Sequence, residues 1–323
     1  PPDPAQSTGA GLAAHPGILR KNARDTLVRW WAPDPDALPD WHRTPFGDVA
    51  SDGNRYEVAI GVPLGRGFCP FTCTFCGVDA YRRVNQQPTS GATRLRSPDR
   101  VLAEMESVVR TMPVRHGFAA WDEVLPLQRT WLASLMEGYR ARIGLPFAAQ
   151  ARVEQVTPAF VDLLKSGGCD YLVLGLETGD EEYRRKFLDK PFTNDQVRKA
   201  FRLRRAAAVT VCASFMVGMP FETPGMLAKT IRLAAEILPA ELSWKYYTPE
   251  RGTRLFQLVQ DHGLVLDQYV DHPFGANEAM IKLVGCTQSD IDKAQRALAL
   301  LRRDTPRGSY ERQPETDDRL ELR

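Results

Sequence analysis

"YEVAIGVPLGRGFCPFTCTFCG" occupies residues 56–77. It opens on a short apolar run suited to a strand. It closes on a loop that carries Cys69, Cys73 and Cys76 in the spacing C-x3-C-x2-C. Proline, threonine and glycine surround the thiols, which is loop chemistry rather than the lining of a packed core. Thiolates select zinc, copper(I) or iron–sulfur clusters. A structural zinc ion wants four ligands. A fourth could come from His42, His116 or another cysteine, but none sits at a short zinc-finger spacing from the loop. An ordinary four-iron cluster also wants four thiolates. Three thiolates would leave one iron open, and an open iron is a place to bind and activate a ligand. Zinc and iron–sulfur chemistry both stay open on these residues alone.

Composition narrows the class. The chain has 323 residues, 43% of them hydrophobic and 25% charged, with a net charge of +2. This is the make-up of a globular protein of one large or two small domains. A nearly balanced charge gives no electrostatic footprint for nucleic acid. No apolar run approaches the length of a membrane span, and the start has no signal-peptide pattern, so a cytoplasmic location is expected. Six cysteines in a chain of this length are not a disulfide scaffold. Half of them lie in the one loop, which points to a metal site in a reducing compartment.

Downstream, short apolar runs alternate with helical patterns, as βα units do. Strands are predicted at 56–64, 116–124, 146–153, 170–178, 209–220 and 240–249. Helices are predicted at 97–112, 128–144, 158–165, 193–207, 225–238 and 288–303. Six βα units in order imply a parallel α/β barrel or partial barrel. Chemistry in such a barrel gathers at the C-terminal ends of the strands. The loop thiols follow the first strand. Asp122 and Glu123 end the second, and Arg152 the third. Glu177 and Thr178 end the fourth, Gly218 and Glu222 the fifth, Tyr246 and Tyr247 the sixth. Cys169, Cys212 and Cys286 are scattered, and lone buried cysteines are mostly core residues.

The cysteine loop, with Phe75 before its last thiol, resembles the signature of the radical S-adenosylmethionine (SAM) enzymes. "LGLETGDEEYRRKFLDK" (174–190), "SFMVGMPFET" (214–223) and "YYTPERGTRLF" (246–256) are similar to the branch with cobalamin-dependent and Elongator-like members. The resemblance covers about residues 40–262. It implies a partial (β/α)6 barrel with a small C-terminal cap, a 4Fe–4S cluster on Cys69, Cys73 and Cys76, and SAM chelated at the open iron. It implies SAM contacts from Phe75, Asp122 or Glu123, Arg152, Glu177, Thr178, Gly218 and Glu222. The second strand ends in "WDEV", where the family usually has Gly-Gly-Glu.

The expected organisation is a Pro-rich extension over 1–55, the barrel over 56–254, a cap over 255–303 closing the mouth, and a charged tail over 304–323. The extension resembles the linker that follows a cobalamin-binding domain. The Asp-x-His-x-x-Gly signature of that domain is absent, so cobalamin is not expected for this chain. The expected activity is SAM cleavage to a 5′-deoxyadenosyl radical that modifies a small molecule, with Tyr246, Tyr247 and His272 acting on substrate. The expected partner is a reductant such as flavodoxin or ferredoxin, with no nucleic acid and no membrane. The alternatives are a cobalamin-dependent methyltransferase, transfer of a 3-amino-3-carboxypropyl group from SAM, and a non-catalytic iron–sulfur or zinc module.

Overall fold

The computed structural model describes residues 36, 56–58, 69–84, 95–111, 114, 117–120, 123–207, 209–266 and 278–303. Asp122, His272, the rest of the N-terminal extension and the C-terminal tail lie outside them. The elements described below belong to one compact unit, Asp40–Arg323.

Six strands form one sheet: β1 (Tyr56–Val58), β2 (Phe118–Ala120), β3 (Phe147–Ala151), β4 (Cys169–Glu177), β5 (Thr210–Val217) and β6 (Glu241–Tyr246). They lie in chain order and every neighbouring pair is parallel. Parallel neighbours need a crossover. Helices α2 (Pro98–Thr111), α3 (Arg129–Arg142), α4 (Pro158–Gly167), α6 (Asn194–Ala207) and α7 (Pro224–Ile237) supply them. With α1 (Gly77–Val84) after the cysteine loop, this is the expected partial (β/α)6 barrel, with β1 and β6 at its edges.

Alternation along the strands separates two faces. Leu172, Leu174, Val211, Ala213, Phe215 and Leu242 face outward into the main core, against Leu102, Leu135, Phe160, Phe201 and Leu233 of the helices. Ala119, Ala148, Tyr171 and Cys212 form a separate small cluster on the inner face. The helix starts follow from local chemistry. Thr157 and Thr223 accept hydrogen bonds from the amides of Phe160 and Met226 and are each followed by proline, the preferred first helical residue. Asp180 caps α5 (Glu181–Phe187) through the Tyr183 amide.

In the C-terminal part, where 267–277 lie outside the described residues, two helices are described. Helix α8 (Arg254–Asp261) packs Leu255 and Val259 against Tyr183, Leu188 and Met219, with Phe75 of the cysteine loop beside them. The last helix, α9 (Gln288–Arg303), joins the outer layer. Its Ile291 and Ala294 pack on Val217, Leu227 and Tyr246. An amphipathic helix buries its apolar stripe where apolar surface is offered. The outer face of β5 and β6 beside α7 offers it, and the polar mouth does not.

Candidate active site

The cysteine loop is bolted down by charge. Arg82 of α1, 1% exposed, donates to the carbonyl oxygens of Cys69 (2.7 Å) and Phe71 (3.0 Å) and pairs with Asp79 at 2.9 Å. Only a guanidinium presents enough donors in a fixed fork to serve three acceptors at once. From α8, Arg254 donates to the Thr72 carbonyl and pairs with Asp189 at 3.0 Å. The Thr72 hydroxyl donates to the same Asp189 at 2.7 Å. Backbone bonds from Thr74 N to Leu188 O and from Leu255 N to Thr74 O finish the seam.

Within this frame Cys69, Cys73 and Cys76 are half-buried free thiols. Burial pushes the Cys69 thiol up to about 12 and the Cys76 thiol to about 11, and the Cys73 and Glu123 charges add to both. Such thiols stay protonated until a cationic centre replaces the protons. Among the described residues no three His, Cys, Asp or Glu side chains converge on a single metal-ion position. A lone zinc ion needs that convergence. A four-iron cluster takes each cysteine at a different iron, so its ligands stand apart. Three thiols on one loop, with Arg152 at Cys73, fit a three-thiolate cluster. Cys169, Cys212 and Cys286 lie in three different clusters of the core, so they do not form a second site together.

Arg152, at the end of β3, comes to the loop. Its Nη1 donates to Cys73 Sγ at 3.0 Å, its Nη2 pairs with Glu154 at 2.6 Å, and its guanidinium lies 3.9 Å over the Phe71 ring. Glu123, after β2, is near enough to act on Cys69 and Cys76 electrostatically. At the end of β4 the register shifts between Gly175 and Glu177, and Glu177 takes a left-handed backbone with φ 63°. A side chain rarely adopts that conformation unless its surroundings impose it. Here the buried carboxylate pairs with Lys190 Nζ at 2.7 Å, and Lys190 also donates to the Gly175 carbonyl at 2.8 Å. Glycine at 175 leaves room for this pair: a Cβ there would lie 2.5 Å from Glu177 Oε1 and push the carboxylate aside. Lys190 Nζ sits 5.9 Å from the Phe75 ring, so the pair borders the cysteine loop. Sequence reasoning missed Lys190. The one available signal was a lysine placed between Asp189 and Pro191 in the linker that joins α5 to α6.

Other expected residues are turned elsewhere. Thr178 is fully buried with its hydroxyl on Thr230 of α7 (3.2 Å), on the outward side that Leu172, Leu174 and Leu176 also face. Tyr246 points to the outer layer, where Gln288 Nε2 donates to its hydroxyl at 2.7 Å. Tyr247 is 1% exposed in the apolar cluster under the loop. Tyr246 thus faces the outer side of the sheet, and Tyr247 packs in the cluster that Met216 and Phe75 border. Gly218 has φ 72° and its amide donates to Glu222 Oε2 at 2.7 Å; the Met219 amide does so at 3.3 Å. Glu222 thus builds the turn after β5. Its other oxygen, Oε1, is buried without a hydrogen-bond partner, and burial pushes the carboxyl up to about 7.

A parallel α/β partial barrel with a three-thiol loop, an arginine at the thiols and a buried acid–lysine pair at the strand ends defines a class of enzymes that bind an iron–sulfur cluster and SAM. The chain belongs to the Radical SAM superfamily, which it matches over residues 66–234. It is 30% identical over 248 residues to the anaerobic magnesium-protoporphyrin IX monomethyl ester cyclase of Cereibacter sphaeroides, covering 72% of this chain and 37% of the cyclase. It is 28% identical to the biotin synthase of Azorhizobium caulinodans over 214 residues, 66% of this chain and 62% of the synthase. The fold is similar to that of the radical SAM methyltransferase TsrM of Kitasatospora setae, solved with cobalamin and a 4Fe–4S cluster. The TM-score is 0.51 and the identity 17%, over 64% of this chain and 37% of TsrM. The chain thus spans little more than a third of the cyclase. Among the described residues no helix is long and apolar enough to cross a membrane.

Proposed function

We propose that this chain cleaves SAM reductively to methionine and a 5′-deoxyadenosyl radical and uses the radical to modify a small molecule. The observation that carries this is Arg152 Nη1 at 3.0 Å from Cys73 Sγ. It brings a fixed cation from the end of β3 to the three-thiol loop after β1. Cys69, Cys73 and Cys76 would hold the 4Fe–4S cluster. The cluster, when bound, supplies one electron to a SAM chelated at its open iron.

The protein's own residues then bind and orient. Arg152 is a fixed cation for the SAM carboxylate, and its guanidinium is pre-aimed by Glu154 and Phe71. Glu123, with its neighbour Asp122, offers a carboxylate to the SAM amino group. Glu177, held by Lys190, presents an acceptor to the ribose hydroxyls. The Gly218 turn, braced by Glu222, presents backbone to adenine. A flavodoxin- or ferredoxin-like protein is the reductant. The domain reading that goes with this is a barrel over 56–254 with 255–303 packed on it.

The test is anaerobic reconstitution of the chain, assay of iron and sulfide, and reduction with SAM. About four irons per chain and release of 5′-deoxyadenosine support the proposal. Methylthioadenosine instead would mark 3-amino-3-carboxypropyl transfer. Bound zinc without sulfide would leave only a binding module.

A further inference from the structure

The inner face of the sheet carries polar side chains that the proposed SAM site does not use. Register places Gln150 of β3 in one row with Val173, Cys212 and Glu241. One row higher are Gly175, Ser214 of β5 and Ser243 of β6, and next come Met216 and Lys245. These residues share a face opposite the one that packs on the helices. Gln150 and Lys245 are exposed, and Ser214, Met216 and Ser243 are half-exposed, so water reaches this wall. Among the described residues, the side chains of Gln150, Ser214, Ser243 and Lys245 make no hydrogen bond or ion pair within the chain. Among the described residues the other charges on this face are engaged. Glu241 accepts from the Tyr171 hydroxyl, and Glu177 and Lys190 hold each other. Among the described residues Lys245 is thus the free charge, with three free hydrogen-bonding groups below it.

We propose that this wall binds the substrate, and that the substrate is a small polar molecule bearing an oxyanion, a carboxylate or a phosphate, received by Lys245 Nζ. Ser243, Ser214 and Gln150 hydrogen-bond the rest of it. From β3 to β6 the wall crosses three strand spacings, about 14 Å, and Lys245 stands about 7 Å along the strand from Ser243. That span suits a molecule of one or two rings or an extended chain. Lys245 serves as a point charge and takes either oxyanion. The hydroxyls and the amide then set the register of the substrate beneath the Glu177–Lys190 pair. The inference rests on the radical SAM reading only in placing a substrate beside the cysteine loop.

The test is saturation-transfer difference NMR on the full chain with succinate and its uncharged analogue succinamide. Succinate should receive saturation, and succinamide far less. Lys245→Gln should weaken succinate binding about tenfold, and Ser243→Ala should weaken it less. Displacement of succinate by inorganic phosphate assigns the wall to either oxyanion; retention assigns it to carboxylates. No transfer to succinate, equal transfer to succinamide, or undiminished transfer in Lys245→Gln overturns the inference. Iron content and SAM binding are measured on the same samples. Protein that binds iron and SAM but not succinate fails this inference alone, whereas protein that binds no SAM fails the proposed function.

Discussion

Glu177 Oε1 and Lys190 Nζ meet at 2.7 Å, both buried, across a stretch of chain that contains α5. The contact exists because Glu177 stands on the inner side of β4, as Val173 and Gly175 do, where Gly175 leaves room for its carboxylate. Two opposite charges buried beside a cofactor loop are costly to keep, since each has lost its water. Their cost is offset by mutual attraction and by the Gly175 carbonyl, which accepts a further hydrogen bond from Lys190.

Breaking that pair from one side should therefore harm twice. Glu177→Gln leaves Lys190 buried and uncompensated, and a loss of roughly 3–5 kcal/mol is expected from urea unfolding. SAM affinity should fall as well, while iron content stays intact. The double variant Glu177→Gln with Lys190→Met should recover much of the stability but not the affinity. Unchanged SAM binding by calorimetry in either variant would remove the pair from the SAM site.

Each of Cys69→Ala, Cys73→Ala and Cys76→Ala should abolish both the cluster and SAM cleavage. The rest of the fold should persist, because the thiols lie in a loop fastened independently by Arg82 and Arg254. Iron, sulfide and 5′-deoxyadenosine are the readouts. Full iron content in any one of the three variants would exclude that cysteine as a ligand.

Arg82 tests the fastening itself. Arg82→Lys keeps the charge but cannot fork to the Cys69 and Phe71 carbonyls while pairing with Asp79. It should reconstitute with less iron and show an altered electron paramagnetic resonance line shape in the reduced cluster. An unchanged spectrum at full occupancy would show that the loop holds its form without Arg82.

Glu222 predicts a pH dependence. Its folded pKa, about 7, lies above the ordinary 4.5 because of burial. Between those values the folded chain binds more protons than the unfolded one, so stability falls as pH rises. The contribution is present below about 4.5 and gone above about 7, and is on the order of 3 kcal/mol. Glu222→Gln should flatten the urea midpoint across that window and be the more stable protein at pH 8. An identical slope in both proteins would show that Glu222 does not titrate there.

Cobalamin can be tested on the same protein. Hydroxocobalamin added to the anaerobic chain is expected to separate from it on gel filtration. Stoichiometric retention by absorbance would place a corrin above the mouth and make methyl transfer the leading activity.

Much of this was legible in the sequence. Alternation of apolar runs with amphipathic segments fixes βα order, because burying a two-faced strand and a one-faced helix requires those periods. The six predicted strands and six predicted helices are found inside or within a residue or two of their bounds, whereas α1, α5 and α8 were not predicted. The cysteine spacing states its chemistry without a fold, because three thiols in one loop are close by covalent connection alone. Tertiary structure decided which strand-end residues face the site. Thr178 and Tyr246 stand on the outward face, in step with Leu176 and Leu242, and which face of a strand turns to the helices is decided by packing rather than by position along the chain. Lys190 and Arg82 belong to the same category. Their importance lies in partners distant along the chain or in backbone oxygens, and neither leaves a periodic trace. The sequence by itself thus determined the fold class and the place of the three metal-binding thiols, which depend on local pattern. The site's charge pairs were set only by packing, because a buried ion is stable only where a particular partner completes it.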